Sequence, residues 1–263
     1  MSRPAISVCI ITHNEESKIR PCLESVKWAE EIVVVDSGST DNTVEICREY
    51  TDKVFHKPFP GHIEQKNNAL DLASHDWVLC VDADERVSPE LATEIQEELS
   101  KDKSVYDGYL LPRHTYFMGR WINHTGWYPD YKLRLFRRNL GRWGGVNPHD
   151  RVTLERGLIK NLTGDLQHFS YDNISGQLAT VDKFTTIFAE EMQKQGVRFG
   201  LFHVIFRPVG RFFSMYFLKL GFLDGVAGLV ISVMGSMYSF LKYAKCWEMQ
   251  NTKDKGDGQG GDH

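Results

Sequence analysis

The sequence predicts an α/β fold with an open, mostly parallel, Rossmann-like sheet and helices on both faces. Two observations support this prediction. In the first hundred residues, short apolar runs alternate with stretches whose apolar residues recur every three or four positions. The apolar runs are hydrophobic at consecutive positions, as parallel strands covered by helices on both faces require. A third feature, an aromatic and apolar stretch near the end of the chain, predicts an additional helical segment.

Four strands are expected before residue 100, at residues 5–12, 31–36, 53–56 and 77–81. Helices are expected between them. In the first helix Ile19, Leu23 and Val26 are in register, and Pro21 suggests a late start or a bend. After the fourth strand, Ser88 and Pro89 provide an N-cap and a first-turn proline for another helix.

Composition limits the classes of function. The chain has 263 residues, a net charge of −4 and a pI of about 6.2, which disfavours a general nucleic-acid binder. The five cysteines form no Cys-x-x-Cys pair, so we expect free buried thiols rather than a zinc site. The first residues lack the pattern of a secretory signal, so a cytoplasmic location is expected for the globular part.

Three expected strands end in polar residues, in the Thr-His-Asn-Glu run 12–15, at Asp36 and in the Asp-Ala-Asp run 82–84. Ligands of open α/β sheets bind beyond the carboxyl ends of the strands. The sequence has neither a Walker A lysine motif nor a Gly-x-Gly-x-x-Gly after the first strand. A nucleotide would therefore be bound by side chains together with a metal ion.

The Asp-Ala-Asp run suits Mg²⁺ or Mn²⁺, which take oxygen ligands from one or two carboxylates and from phosphates. Alternation along the strand makes Asp84 the better metal ligand and turns Asp82 toward a ribose or a bridging water. The alternative is a solvated acidic turn. Asp36 has two interpretations as well: a cap of the following helix, or an acceptor for a uracil imide or a ribose hydroxyl.

Three segments together resemble the family 2 glycosyltransferases of the GT-A fold: Ile-Ile-Thr-His-Asn-Glu-Glu at 10–16, Val-Val-Val-Asp-Ser-Gly-Ser-Thr-Asp-Asn-Thr at 33–43 and Asp-Ala-Asp-Glu at 82–85. More narrowly, the chain is similar to the branch of lipopolysaccharide core glucosyltransferases that act on inner-core heptose. The resemblance extends over residues 5 to about 245.

The resemblance implies a role for several residues. The nucleotide-sugar would be bound by Thr12, Asn14, Glu15, Asp36, Lys66 and Asp82. Asp36 would contact the uracil, and Asp82 would lie near the ribose. Asp84 would hold the metal, and His168 would complete the metal site. The alternatives are a solvated helix lysine for Lys66 and a structural histidine for His168.

The middle of the chain is expected to bind the acceptor. Strands are predicted at 107–113 and 131–137, and the aromatic segment between them includes Trp127 and Tyr128. Their rings would stack on sugars, although a core role is equally compatible. Arg134 belongs to a basic group that suits phosphates on the donor or acceptor.

An inverting transfer needs one carboxylate to accept the proton of the acceptor hydroxyl. The branch usually has His-Glu where this chain has His149 and Asp150, so Asp150 is the expected base. Its side chain is one methylene shorter than that of Glu. Asp130 is the rival base, and a surface turn is the alternative role of Asp150. Donor binding is expected to order flexible loops such as Gly144-Gly145.

The C-terminal third begins with an amphipathic helix at 173–195. Residues 199–247 are apolar and aromatic with interspersed basic residues, a composition typical of the membrane interface. A spanning helix at 222–241 and a soluble packing or oligomerisation surface are the alternatives. The predicted domains are 1–196, with a nucleotide-binding half 1–100 and an acceptor half 101–196, then a membrane-associated segment 197–250 and a disordered tail 251–263.

The resemblance thus implies an inverting transfer of a hexose from a UDP-sugar to a glycan or glycolipid acceptor. The acceptor would be lipopolysaccharide core or another lipid-linked glycan at the inner face of the cytoplasmic membrane. The protein is expected to contact the membrane peripherally. A homo-oligomer is also compatible with the sequence. The rival hypotheses are a sugar-1-phosphate nucleotidyltransferase and a catalytically silent glycolipid-binding scaffold. The transferred sugar and the linkage stay open.

Overall fold

The structure, a computed structural model, describes residues 3–101, 105–146, 149–171 and 173–256, without the side chains of residues 146, 149 and 252–256. The chain forms two compact units. The first comprises Met1–Thr115 and Pro129–Ser170, and the second comprises Tyr116–Tyr128 and Tyr171–His263. The boundary predicted at residue 196 falls inside the second unit. The domain division from sequence remains a prediction.

The strands, numbered in chain order, are β1 Ile6–Thr12, β2 Glu31–Asp36, β3 Val54–His56, β4 Trp77–Asp82, β5 Glu85–Val87, β6 Tyr106–Phe117, β7 Arg120–Trp121, β8 Asp130–Arg137, β9 Gly141–Val146, β10 His149–Leu154, β11 Leu158–Asn161 and β12 Leu166–His168. The helices are α1 Ile19–Val26, α2 Thr43–Arg48, α3 His62–Leu72, α4 Pro89–Ser100, α5 Ile174–Lys194, α6 Leu201–Phe213 and α7 Gly225–Gly256. A π-helical turn, Ser214–Leu218, and a 3₁₀ turn, Gly221–Asp224, join α6 to α7.

The main sheet has the strand order β3-β2-β1-β4-β8-β6-β12-β5. Strands β1 to β4 are mutually parallel, whereas β8 is antiparallel to both β4 and β6. The expected α/β class with a mostly parallel sheet is confirmed. A separate antiparallel hairpin, β9–β10, occupies the region that the sequence analysis treats as a loop around Gly144-Gly145.

The core of the first unit lies on both faces of this sheet. Val8 and Ile10 of β1 point into one cluster with α1 and α4, while Cys9 points into another with α3 and the hairpin. This alternation explains why β1 is apolar at consecutive positions. Pro21 neither delays nor breaks α1, because it lies in the first turn, where the backbone N–H has no helical partner.

The second unit is helical. Phe117, Ile122, Met215, Ala227 and Ile231 form its main buried cluster. The helical segment Gly221–Asn251, which comprises the 3₁₀ turn and most of α7, is long and apolar enough to cross a membrane by length and composition, which by itself is weak evidence for a span. Helix α7 continues to Gly256, five residues past Asn251, where the sequence suggests that a disordered tail begins. Residues 257–263 lie outside the described residues.

Candidate active site

The polar ends of β1, β2 and β4 lie side by side. Thr12 is opposite Asp36 in the β1–β2 register, and Ile11 is opposite Asp82 in the β1–β4 register. Three runs distant in sequence therefore meet at one edge of the sheet, as the parallel topology requires.

The loop after β1 is fixed to the loop after β2 by its own polar side chains. Asn14 has a positive φ of 55°, a conformation that Asn tolerates better than most residues. Its side-chain oxygen accepts a hydrogen bond from the backbone N–H of Thr40 at 2.8 Å, and its own N–H donates to the Ser39 hydroxyl at 2.9 Å. The N–H of Glu15 donates to the Thr43 hydroxyl at 2.8 Å. Asn14 and Glu15 thus hold the two loops together.

The buried carboxylate of Asp36 is occupied by its own turn. It accepts hydrogen bonds from the backbone N–H groups of Gly38 at 2.9 Å and of Ser39 at 3.0 Å, and from the Ser39 hydroxyl. Burial raises the pKa of Asp36, but these hydrogen bonds outweigh burial and hold it below its ordinary value. The negative charge of the Asp36 carboxylate is therefore stabilised at the C-terminal end of β2.

A network of paired charges surrounds the end of β4. Arg134 of β8 donates to Asp82 at 2.7 Å and to Glu85 at 2.9 Å. Lys66 of α3 lies 3.0 Å from Asp82 and donates to Asp150 at 2.8 Å. Arg134 and Glu85 are almost fully buried. We call these five residues the charge network.

The charge network fixes its own ionisation. Burial raises the pKa of Asp82, but Arg134 and Lys66 outweigh burial and hold the pKa far below its usual range. Burial likewise lowers the pKa of the Lys66 ammonium, yet Asp82 and Asp150 raise it above its ordinary value overall. With its pKa held down by two cationic partners, Asp82 is a poor proton acceptor.

Trp143 of β9 covers the charge network. The Lys66 ammonium lies 4.3 Å from the ring centroid and the Arg134 guanidinium 5.2 Å from it, both within cation–π range. The Asn67 amide exchanges two hydrogen bonds with the Trp143 backbone, at 3.0 and 3.1 Å, which fastens the hairpin to α3. Sequence reasoning missed Trp143, whose neighbours Gly144 and Gly145 suggested only a loop.

A cavity of about 430 Å³ opens beside this cluster. It is lined by Lys66, Asp82, Leu110, Arg113, Tyr131, Lys132, Leu133, Arg134, Trp143, Asp150, Arg151 and Val152. Asp150 is therefore at the cavity wall and not on a solvated turn. Asp130 is held by Arg113 at 2.7 Å and Lys132 at 3.0 Å, and it is outside the lining formed by the described residues.

Asp84, two residues past the end of β4, contacts His168 at the end of β12. The Nε2 atom of His168 lies 3.4 Å from the Asp84 carboxylate, and its Nδ1 atom lies 3.3 Å from the Thr115 hydroxyl. Pairing of β12 with β5 brings them together, 84 positions apart in the chain: the Phe169 N–H donates to the Asp84 carbonyl at 2.9 Å. Burial raises the pKa of Asp84, but His168 outweighs burial and holds it below its ordinary value.

This pair fits a hard divalent cation. A carboxylate and an imidazole would supply two ligands, and the remaining ligands would have to be groups such as phosphate oxygens and water. Within the described ranges, no group of three or more His, Cys, Asp or Glu side chains is placed to hold a metal without such help.

The family model named Glycosyl transferase family 2 matches residues 7–164, more than half of the chain. The chain belongs to glycosyltransferase family 2. The matched region begins in β1 and ends just before β12, so it includes the ends of β1, β2 and β4 but not His168.

Two relatives align with almost the whole length of this family 2 chain. It is 30% identical to the lipopolysaccharide core biosynthesis glycosyltransferase LpsC of Rhizobium meliloti, with 94% of each chain covered. It is also 30% identical to an uncharacterized glycosyltransferase of Rickettsia typhi, with 93% of this chain and 87% of the other covered.

A solved structure shows the same fold. The mannosyltransferase PcManGT of Pyrobaculum calidifontis, in complex with GDP-Man and Mn²⁺, superposes with a TM-score of 0.52 at 15% identity. The superposition covers 97% of this chain and 89% of that chain. The likeness confirms a GT-A architecture for this glycosyltransferase.

The remaining residues predicted for the site are dispersed. The Thr12 hydroxyl is buried and has no hydrogen-bond partner in the described part of the chain. Trp127 belongs to the second unit, where its ring is partly buried against Phe117 at 5.8 Å and Tyr171 at 6.4 Å. Tyr128 is half-buried in the same unit. Trp127 and Tyr128 remain predicted acceptor residues, as does Arg134, whose side chain contacts Asp82, Glu85 and the ring of Trp143.

Proposed function

We propose that this glycosyltransferase transfers a hexose from a UDP-sugar, with inversion, to a hydroxyl of lipopolysaccharide core or another lipid-linked glycan. The observation that carries the proposal is the position of Lys66, which joins Asp82 at 3.0 Å to Asp150 at 2.8 Å at the wall of one cavity. The strand end predicted to bind the donor and the predicted base are thereby held next to each other.

The donor would occupy the joined ends of β1, β2 and β4. Asp36 would receive the uracil edge and Asp82 would face the ribose, while Asn14 and Glu15 shape the loop above. Mg²⁺ or Mn²⁺ bound by Asp84 and His168 would stabilise the charge that develops on the diphosphate leaving group. This proposal is supported by the donor set, one carboxylate and one imidazole facing each other.

Asp150 would be the general base. The acceptor hydroxyl oxygen forms the new bond to the anomeric carbon and its proton passes to Asp150, while the bond to the diphosphate breaks and its electron pair leaves with UDP. Lys66 binds the Oδ2 atom of Asp150, and a carboxylate has a second oxygen that can accept the proton. Asp130 is a weaker candidate, since Arg113 and Lys132 already engage it.

The acceptor side of the proposal is supported by LpsC, whose name places it in lipopolysaccharide core biosynthesis. A lipid-linked acceptor would be used at the inner face of the cytoplasmic membrane by a peripherally bound enzyme. The apolar surface of the second unit is compatible with such contact.

Substitution of Asp150 tests the proposal. Asp150→Asn removes the base but keeps the shape, so we expect transfer from UDP-hexose to a glycolipid acceptor to fall on the order of hundredfold or more. Binding of UDP should be retained, and it can be measured as the increase in thermal stability that UDP gives to the folded protein. Asp150→Glu, the residue of the resembling branch, is the matched variant and should keep measurable activity.

Asp130→Asn serves as the comparison for the base. If Asp130→Asn abolishes transfer while Asp150→Asn leaves it intact, Asp130 is the base and this assignment is wrong. Full activity in both variants would overturn general-base catalysis by either residue.

A further inference from the structure

The outer face of the second unit is apolar and without a partner among the described residues. Eight of its exposed hydrophobic residues lie on α6 and the turn that follows: Leu201, Phe202, Ile205, Phe206, Val209, Phe213, Phe217 and Leu218. Phe202 is 64% exposed and Leu218 is 71% exposed. Large aromatic residues are rarely exposed in such numbers on one helix of a free-standing surface, so this face is a candidate docking surface.

The residues of α6 are arranged in three arcs around its axis. Successive helical residues are about 100° apart, which places the exposed apolar residues within one arc of roughly 140°. Val204 and Pro208 lie on the arc that faces the unit's interior, the latter buried. His203, Arg207 and Arg211 lie along the remaining arc, beside the apolar one. We call the exposed apolar arc the α6 stripe.

The α6 stripe continues past the end of the helix. The ring of Phe213 contacts that of Phe217 in the π-helical turn at 5.0 Å. Beyond it, exposed apolar residues follow at Leu220, Phe222, Leu223 and Val226. Leu220 has a positive φ of 55°, which turns the chain sharply between the two helices. The stripe therefore extends into an exposed apolar elbow between α6 and α7.

Helix α7 is poorly suited to cross a bilayer. Its uncharged part, residues 225–241, is roughly 25 Å long, shorter than the roughly 30 Å of a hydrocarbon core. Its start is fastened by Asp224, a buried carboxylate that accepts hydrogen bonds from the backbone N–H groups of His124 at 2.8 Å and Asn123 at 3.3 Å.

The neighbours of α7 are also too polar for a span. Lys245 binds the Asp182 carboxylate of α5 at 2.7 Å, and the α5 residue Gln193 lies within 3.5 Å of the Met249 carbonyl. On the other side, Ser236 donates to the Pro208 carbonyl of α6 at 2.9 Å. A span by α7 would draw the charged α5 and the arginines of α6 into hydrocarbon.

We propose that α6 and the apolar elbow lie in the plane of an anionic bilayer surface, and that α7 does not span the membrane. The α6 stripe would enter the acyl-chain boundary, and Arg207 and Arg211 would bind lipid phosphates at its edge. This inference names the membrane mode of the acceptor side of the proposed function. It does not depend on catalysis, because docking needs no donor.

Vesicle co-sedimentation tests this mode of binding. The full chain should bind vesicles of phosphatidylcholine with phosphatidylglycerol, and bind pure phosphatidylcholine vesicles much more weakly. Arg207→Gln with Arg211→Gln should weaken binding to the anionic vesicles roughly 25-fold, at about fivefold for each basic residue. Phe202→Ser with Phe206→Ser should abolish it, because the buried apolar area is lost.

The matched control replaces exposed apolar residues of the same unit outside the stripe. Leu178→Ser with Ile187→Ser on α5 should bind vesicles like the original chain. Equal loss in this control would overturn the assignment of the surface. Helix content and UDP binding of each variant show that it is folded.

Alkaline carbonate extraction separates lying from spanning. The full chain expressed in bacterial cells should be released from membranes by carbonate, and retention in the pellet would contradict the in-plane mode. A concentration-dependent dimer that never binds vesicles, and that dissociates in Phe202→Ser with Phe206→Ser, would show a second copy as the occupant and overturn the proposal. Neither retention in the carbonate pellet nor such a dimer would change the result of the transfer assay on the Asp150 variants, so the membrane proposal and the proposed function are tested separately.

Discussion

The two units of this protein differ in which groups they bury and which they expose. In the first unit, charges are buried and paired with one another, as Arg134 is with Asp82 and Glu85. In the second unit, aromatic residues such as Phe202 and Phe206 are exposed. A buried ion network and exposed aromatic residues are both inefficient ways to stabilise a fold, so we expect each to serve a ligand. The comparison separates a unit suited to nucleotide-sugar chemistry from a surface suited to docking.

The largest effect on stability is expected from breaking the charge network. Arg134→Met would leave the buried Glu85 carboxylate without its main counter-charge and Asp82 with Lys66 alone; loss of one partner of a buried ion pair typically destabilises a fold by about 3–5 kcal/mol. Urea denaturation measures the free energy of unfolding. Arg142→Met is the control, because Arg142 and Asp71 form an exposed pair. Its loss should change stability by about 1 kcal/mol or less. Equal effects in the two variants would refute the special role of the network.

Acid should affect the first unit through Glu31. Burial raises its pKa, but Lys53, Ser7 and Ser74 outweigh burial and lower the pKa to about 2. A carboxyl whose folded pKa lies below its unfolded value stabilises the fold at higher pH, and this stabilisation disappears as pH falls from about 4.5 to about 2. Glu31→Gln should therefore flatten the pH dependence of unfolding in that window, by up to about 3 kcal/mol. An unchanged pH profile would disprove the depressed pKa.

A smaller effect, on kcat, is expected for one of two lysines that both lie over aromatic rings. Lys66 is 4.3 Å from the ring centroid of Trp143 in the first unit, and Lys242 is 3.7 Å from that of Phe188 in the second. Lys66→Met should lower kcat on the order of tenfold, because Asp150 loses the partner that orients it. Lys242→Met should leave kcat unchanged on a soluble acceptor. A similar loss in both variants would show that the effect is general destabilisation.

The sequence was sufficient for the parts of the site that depend on local pattern. Consecutive apolar residues identified β1, β2 and β4, and polar residues at their ends identified the edge of the sheet where the donor is proposed to bind. The same local pattern located Ser88, whose hydroxyl caps α4 by accepting from the Leu91 N–H at 3.1 Å.

The charge network could not be predicted, since it depends on strand order. The antiparallel strand β8 lies beside β4, with Leu135 opposite Leu79, and this register brings Arg134 to Asp82 across 52 residues. A single sequence does not show which of many arginines faces a given carboxylate. The hairpin that carries Trp143 was missed for a similar reason, because glycine-rich strands lack the alternation by which strands are recognised.

Sugar transfer from a UDP-sugar is proposed to depend on the Asp84–His168 pair. The most direct measurement is transfer of labelled hexose from UDP-hexose to a glycolipid acceptor, with and without Mn²⁺, for the original chain and for Asp84→Asn. We expect transfer that requires the metal in the original chain and falls at least hundredfold in Asp84→Asn, together with metal-dependent UDP binding. Undiminished transfer by the original chain in excess chelator, or transfer by Asp84→Asn with Mn²⁺ equal to that of the original chain, would contradict this role.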